Sequence, residues 1–173
     1  MNKGRLLPRI VRAAALAAVA AWAAGCAPVP PAAGDARDAV VGRWGAPTAR
    51  YTMPGGAERL EYATGPFGRT TWMIDLDSAG RVTGARQVLN EAHFHEFQQR
   101  APGMSIDEVL RTLGTPGERK RVGWRSDEVW SWRYPTNDCL WFQVTVDLAA
   151  GRARDAGYGI DWSCDKPTEA DRS

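Results

Sequence analysis

Apolar positions along this chain keep two rhythms, and the helical one is clearest over residues 104–116. Ile106, Val109, Leu110 and Leu113 fall at i, i+3, i+4 and i+7, the spacing that lines one face of a helix. Ser105 and Glu108 ahead of them form a capping box: the serine hydroxyl accepts from the backbone N–H three residues on, and the glutamate accepts from the serine's own N–H. Gly114 supplies the stop and Pro116 bars continuation. The same plan stands 69 positions earlier, where residues 34–47 align with 103–116 without a gap. Val40-Val41 match Val109-Leu110, Trp44 matches Leu113, and Gly45-x-Pro47 matches Gly114-x-Pro116.

After each helix the rhythm changes to period two, the mark of a strand with one buried face. Leu140, Phe142, Val144, Val146 and Leu148 share one side, and Trp141, Gln143, Thr145 and Asp147 the other. A turn at 149–151 follows, and Ala156, Tyr158, Ile160 and Trp162 resume the apolar face. Trp130, Trp132 and Tyr134 supply the strand before. The first half offers Leu60 and Tyr62, then Trp72, Ile74 and Leu76, a turn at 77–80, and a strand through Leu89. Residues 58–62 align with 128–132, and Gly80-Arg81-Val82 with Gly151-Arg152-Ala153. Residues 91–100 read as a further helix, with Phe94 and Phe97 three apart. These elements predict an α+β fold of two tandem units, each a helix or helix pair followed by a three-stranded antiparallel meander. The helices would cover the apolar face of each sheet. The units are expected over 35–90 and 91–164, with a polar, disordered tail at 165–173.

The N-terminus follows a different logic. Lys3, Arg5, Arg9 and Arg12 precede an apolar run over 13–24 and then Gly25-Cys26, the anatomy of a secretory signal peptide. The run falls short of the ~20 residues a membrane-spanning helix needs. Ala23-Ala24-Gly25-Cys26 resembles the lipobox of bacterial lipoproteins, with Ala23 where leucine is commoner. That resemblance implies cleavage of 1–25, diacylation of the Cys26 thiol and acylation of the new N-terminus. Ala27, rather than Asp, after the cysteine implies sorting to the outer membrane, facing the periplasm. Residues 26–34 are rich in proline and alanine and read as an extended tether. Processing also reverses the charge. Four of the 22 basic residues and none of the 20 acidic ones precede Cys26, so a net charge of +2 becomes −2. A basic protein seeking nucleic acid is no longer indicated.

With Cys26 lipidated, Cys139 and Cys164 remain in an oxidising compartment. A hairpin turning around Ala150-Gly151 sets the two opposite each other at its open end, so a disulfide is predicted. It would close a loop of ~25 residues.

Constellations for chemistry are weak. His93 and His95 point ~200° apart on a helix and read as solvated side chains. Asp75-x-Asp77-x-x-Gly80 imitates the start of a calcium loop, but Arg86 stands where the closing glutamate belongs, and a polar hairpin turn explains it. Neither histidine is placed near Cys139 as the partner a nucleophile needs. No catalytic residue, metal ligand or cofactor site is expected, and the chain does not read as an enzyme. Binding is better supported. Seven tryptophans follow the signal. Trp141 faces away from the apolar side of its strand, and Trp124 sits in a basic loop with Arg119, Arg121 and Arg125. Tryptophan and arginine are enriched at interface centres, and a basic loop beside tryptophan also suits anionic phospholipid.

Gly103-Met104-Ser105-x-x-Glu108-Val109-x-x-x-Leu113-Gly114-x-Pro116, followed by Trp130-x-Trp132, resembles the SmpA/OmlA (BamE-like) family of outer-membrane lipoproteins. The family fold is two helices packed on a three-stranded antiparallel sheet and tethered by a lipidated cysteine. The resemblance covers 91–162 well and 34–89 faintly. Two units stand here where that family's small member has one, an arrangement similar to that of the β-lactamase inhibitor protein family. The resemblance implies a non-catalytic scaffold or accessory in envelope and outer-membrane β-barrel assembly. Its partners would be envelope proteins such as the barrel assembly machinery, with the membrane reached through the lipid. Two other roles are weighed: a periplasmic binding or inhibitor protein aimed at an enzyme through its exposed sheet face, and a small hydrolase with a non-local site.

Overall fold

The computed structural model describes residues 29–65, 68–123, 126–136, 138–161 and 164. The expectations for the signal and tether up to residue 28, lipidation at Cys26, the contacts of Trp124 and Arg125, and the tail at 165–173 lie outside these. Among the described residues the architecture is α+β, with three α-helices and two four-stranded antiparallel sheets.

In chain order the elements are α1 (Arg37–Trp44), β1 (Ala49–Thr52), β2 (Glu58–Ala63), β3 (Thr71–Leu76) and β4 (Val82–Gln87). They continue as α2 (Glu91–Arg100), α3 (Ile106–Leu113), β5 (Glu118–Arg121), β6 (Asp127–Arg133), β7 (Leu140–Asp147) and β8 (Arg152–Ile160). Each sheet is a plain meander, β1-β2-β3-β4 and β5-β6-β7-β8. The expected three-stranded meanders were one strand short in both halves. The missed strands, Ala-Arg-Tyr-Thr and Glu-Arg-Lys-Arg, are four-residue edges. An edge strand lined with charge resists pairing with other chains, and it leaves no apolar alternation to detect.

The local signals act where expected. Ser105 and Glu108 close both arms of the capping box, Ser105 N–H donating to Glu108 Oε2 at 2.8 Å and Glu108 N–H to Ser105 Oγ at 3.3 Å. Helix α1 starts at Ala36 with no side-chain cap. Asp77 organises the first turn by accepting from the N–H groups of Ala79 and Arg81, each at 2.9 Å, as a hairpin turn rather than a cation loop.

Many tertiary bonds recur at matched positions in the two halves. Gly34 N–H donates to Val82 O, and Gly103 N–H to Ala153 O, both at 2.8 Å. The bridge Ala36↔Arg81 has its counterpart in Ser105↔Arg152. The register shift between Asp75 and Leu76 is matched by one between Thr145 and Val146. Tyr62 Oη donates to Gly45 O and Trp132 Nε1 to Gly114 O, both at 3.1 Å.

The first core joins Val40 of α1 to Leu60, Ile74, Leu76 and Val82 of the first sheet. The larger core packs Phe94 and Phe97 of α2 and Val109 and Leu113 of α3 onto Trp130, Trp132, Phe142, Val144 and Val146. Met73, from the other face of the first sheet, belongs to this second core and so links the halves. On that same face Arg59 donates to Arg111 O at the end of α3 (2.7 Å), and the buried Glu61 accepts from Thr115 N–H (2.9 Å). The first sheet is therefore covered on both sides: by α1 on one, by the end of α3 and its following turn on the other.

Candidate interaction face

Among the described residues, the second sheet has helices on one side only. Val129, Ser131 and Gln143 occupy the positions that Arg59, Glu61 and Met73 hold in the first sheet, and no helix among the described residues lies over them. A cleft of about 670 Å³ runs across this face. Its floor includes Val129, Ser131 and Gln143, with Gln143 Nε2 donating to Ser131 Oγ at 3.1 Å. Lys120, Arg121, Val122 and Ile160 line it as well.

Period-two alternation puts Trp141 on this side, and the structure agrees. Its exposure does not match a free contact: Trp141 is only 7% exposed. The Arg133 guanidinium lies 4.4 Å from the ring centroid and is itself paired with Asp161. A cation over an indole face, anchored by a carboxylate, is a stable cover. Trp141 is thus a wall of the cleft rather than a projecting anchor. The projecting apolar groups are Val122, 48% exposed, and Ile160, 52% exposed.

Arg119, Lys120 and Arg121 of the basic stretch expected as a loop belong to strand β5. β5 pairs with β6 in the register Arg119↔Trp130 and Lys120↔Val129. Arg119 is thereby separated from Lys120 and Arg121. Arg119 lies over the core side with its guanidinium 4.1 Å from the Trp130 ring, capping the core instead of facing the cleft. Arg121, at the strand's end, lines the cleft, and Lys120 pairs with Glu118 at 3.0 Å. Two of the sequence-nominated residues, Arg121 and Trp141, therefore meet at one site, while Arg119 does not. The residues that sequence reasoning missed are Arg133, Val122 and Ile160. Ile160 is assigned to the buried face by alternation, but it sits at the outer end of the last strand and is 52% exposed.

Cys139 and Cys164 stand at disulfide distance beside this face, their Cα atoms 5.8 Å apart. They are not cross-strand opposites as expected. Leu140 pairs with Ile160, and Asp161 N–H donates to Cys139 O at 2.6 Å, so residue 161 occupies the position foreseen for 164. A turn held by Cys164 N–H to Asp161 O (3.0 Å) brings the second cysteine back.

The histidines do not form a site. His93 is half-buried rather than solvated, its Nε2 3.3 Å from Thr112 O, and burial holds its pKa below the ordinary value. His95 is exposed beside Gln99. Among the described residues no group of three or more His, Cys, Asp or Glu is placed to hold a metal ion, and no helix is long and apolar enough to cross a membrane. Comparison with family models, characterised proteins and solved structures gives no match.

Proposed function

We propose that this chain is an outer-membrane-anchored periplasmic lipoprotein that acts as a non-catalytic scaffold in envelope assembly, holding a protein partner on the open face of its second sheet. The observation that carries this reading is the uncovered cleft over Val129, Ser131 and Gln143, beside the covered counterpart in the first sheet. Exposed apolar groups such as Val122 and Ile160, rimmed by polar and charged side chains, mark interaction surfaces. The signal and lipobox support the location, and the SmpA/OmlA-like run at 103–116 supports the role. The recurring bonds at Gly34 and Gly103, Gly45 and Gly114 support two units that arose by duplication of one helix-plus-meander plan. A binding or inhibitor protein aimed at a periplasmic enzyme would use the same cleft.

A photo-crosslinking residue at Gln143 in the full chain, expressed in its native envelope, tests the role. Crosslinks to barrel-assembly components are expected, together with loss of outer-membrane fractionation for Cys26→Ser. A crosslink to one soluble enzyme would install the inhibitor reading instead. No crosslink to any protein would remove both.

A further inference from the structure

Among the described residues, the first half leaves open a space whose counterpart in the second half is filled. In the second half α2 lies across the end of the sheet, where Phe94 stacks on Phe142 with ring centroids 4.2 Å apart and planes 8° from parallel. Phe97 meets the same ring edge-on at 5.9 Å, and Tyr134 Oη donates to Glu91 Oε1 at 2.6 Å. Leu89, just before the helix, together with Ala63, Gly65 and Thr71 of the first half, leaves a gap of only about 10 Å³ against Trp132, Thr115 and Gly117.

At the matching positions of the first half stand Trp72, Tyr62 and Trp44, and there a cleft of about 510 Å³ lies open. Trp44 meets Tyr62 and Trp72 edge-on at 5.3 and 5.7 Å, so the indoles line the space without closing it. The stretch that would supply an equivalent helix, 69 residues before α2, is 22–31. It contains Pro28, Pro30 and Pro31, and proline in a helix interior costs a hydrogen bond and clashes with the preceding turn. No helix is assigned at 29–31. Arg50 is exposed on the same face of the sheet as Tyr62, while Arg43, which lines the cleft, is paired with Asp35 at 3.2 Å.

We infer that this cleft is a docking site for an amphipathic helix of a partner protein. The helix would carry two large apolar side chains three positions apart, as Phe94 and Phe97 are, to fill the space between Trp44 and Trp72. An acidic side chain on its flank would face Arg50. Helix-in-groove recognition of this kind reads anchors at i and i+3 and gains specificity from flanking charge. The site is separate from the cleft on the second sheet and does not depend on it.

The test places a photo-crosslinking residue at Ala46, an exposed position on the cleft wall, in the full chain within its native envelope. The crosslinked peptide is sequenced, and a synthetic copy is titrated against the purified full chain by tryptophan fluorescence. The expected peptide has paired large apolar residues three apart and an acidic neighbour. Its affinity should fall about tenfold or more with Ala46→Glu, which leaves the core untouched, and with Trp72→Ala, the loss an interface anchor typically causes. Trp141→Ala should leave it unchanged. The inference is overturned by a crosslinked segment lacking that pattern, or by a peptide that binds the Ala46→Glu chain equally well. Crosslinks confined to residues before Gly34 would make this chain's own N-terminal segment the occupant and overturn it too. So would crosslinks to lipid, to a second copy of this chain, or to nothing.

Discussion

Two glycines in matching places show how one backbone requirement acquires different consequences. Gly45 and Gly114 end α1 and α3 with φ of 82° and 81° and ψ of −168° and −169°. Only glycine adopts that region cheaply; other residues lose on the order of 1–3 kcal/mol there. Around Gly45 a Cβ would meet nothing within 4 Å. At Gly114 it would lie 2.8 Å from Thr71 Cγ2, 3.0 Å from Glu61 Cδ and 3.1 Å from Met73 Cε, all from the opposite half. Gly45→Ala is therefore expected to lower urea stability by about 1–3 kcal/mol through backbone strain alone. Gly114→Ala adds an overpacking cost of roughly 1–3 kcal/mol. Equal losses would mean that the contact between the halves yields freely at this point. Both stops were legible as Gly-x-Pro; the crowding around one of them was not.

Among the elements, the β7–β8 hairpin separates what alternation can and cannot foresee. Its strands follow the period-two pattern, but Asp147 pairs with Arg152, so the turn centres on Ala149-Ala150 rather than Ala150-Gly151, and the register shift between Thr145 and Val146 recovers only one residue of the difference. Asp161 therefore stands opposite Cys139, and the turn to Cys164 restores the pairing by another route. Alkylation and mass spectrometry of the non-reduced protein should find neither thiol labelled. Cys139→Ser and Cys164→Ser should each lose about 2–5 kcal/mol, the usual cost of removing a native bridge. Two labelled cysteines in the untreated chain would refute the bond. The edge strands β1 and β5 escaped notice for a related reason. With one side of the sheet edge solvated and charged, there is no apolar repeat for a pattern to register.

Across the whole molecule, the halves are joined by polar groups that no hydrophobic pattern announces. Glu61 is fully buried, accepting from Thr115 N–H at 2.9 Å through one oxygen and from Tyr51 Oη at 2.5 Å through the other. A methionine, of similar length, offers neither donor an oxygen. Glu61→Met should therefore destabilise by about 1–3 kcal/mol, the cost of leaving a buried group unpaired. Tyr51→Phe should cost less in the Glu61→Met chain than in the wild type, measured as a double-mutant cycle of urea midpoints. Strictly additive losses would show that the two bonds are independent. Arg59 works beside it, gripping Asp75 through two nitrogens while its third reaches Arg111 O.

What the chain determines by itself is local and periodic. The capping box of α3, its apolar stripe, the Gly-x-Pro stops and the period-two strands each depend on neighbours within about four residues, so their physics is written in order along the sequence. The side of β7 that carries Trp141 follows from the same alternation. Whether that side is free does not, because Arg133 and Asp161 come from other strands and cover the ring only after folding. The burial of Glu61, the departure of Arg119 to the core face and the openness of the second sheet likewise depend on which surfaces meet. Contacts from Arg119 on Trp130, 11 positions apart, to Glu61 with Thr115, 54 apart, decide those matters, and only the packed molecule brings them together.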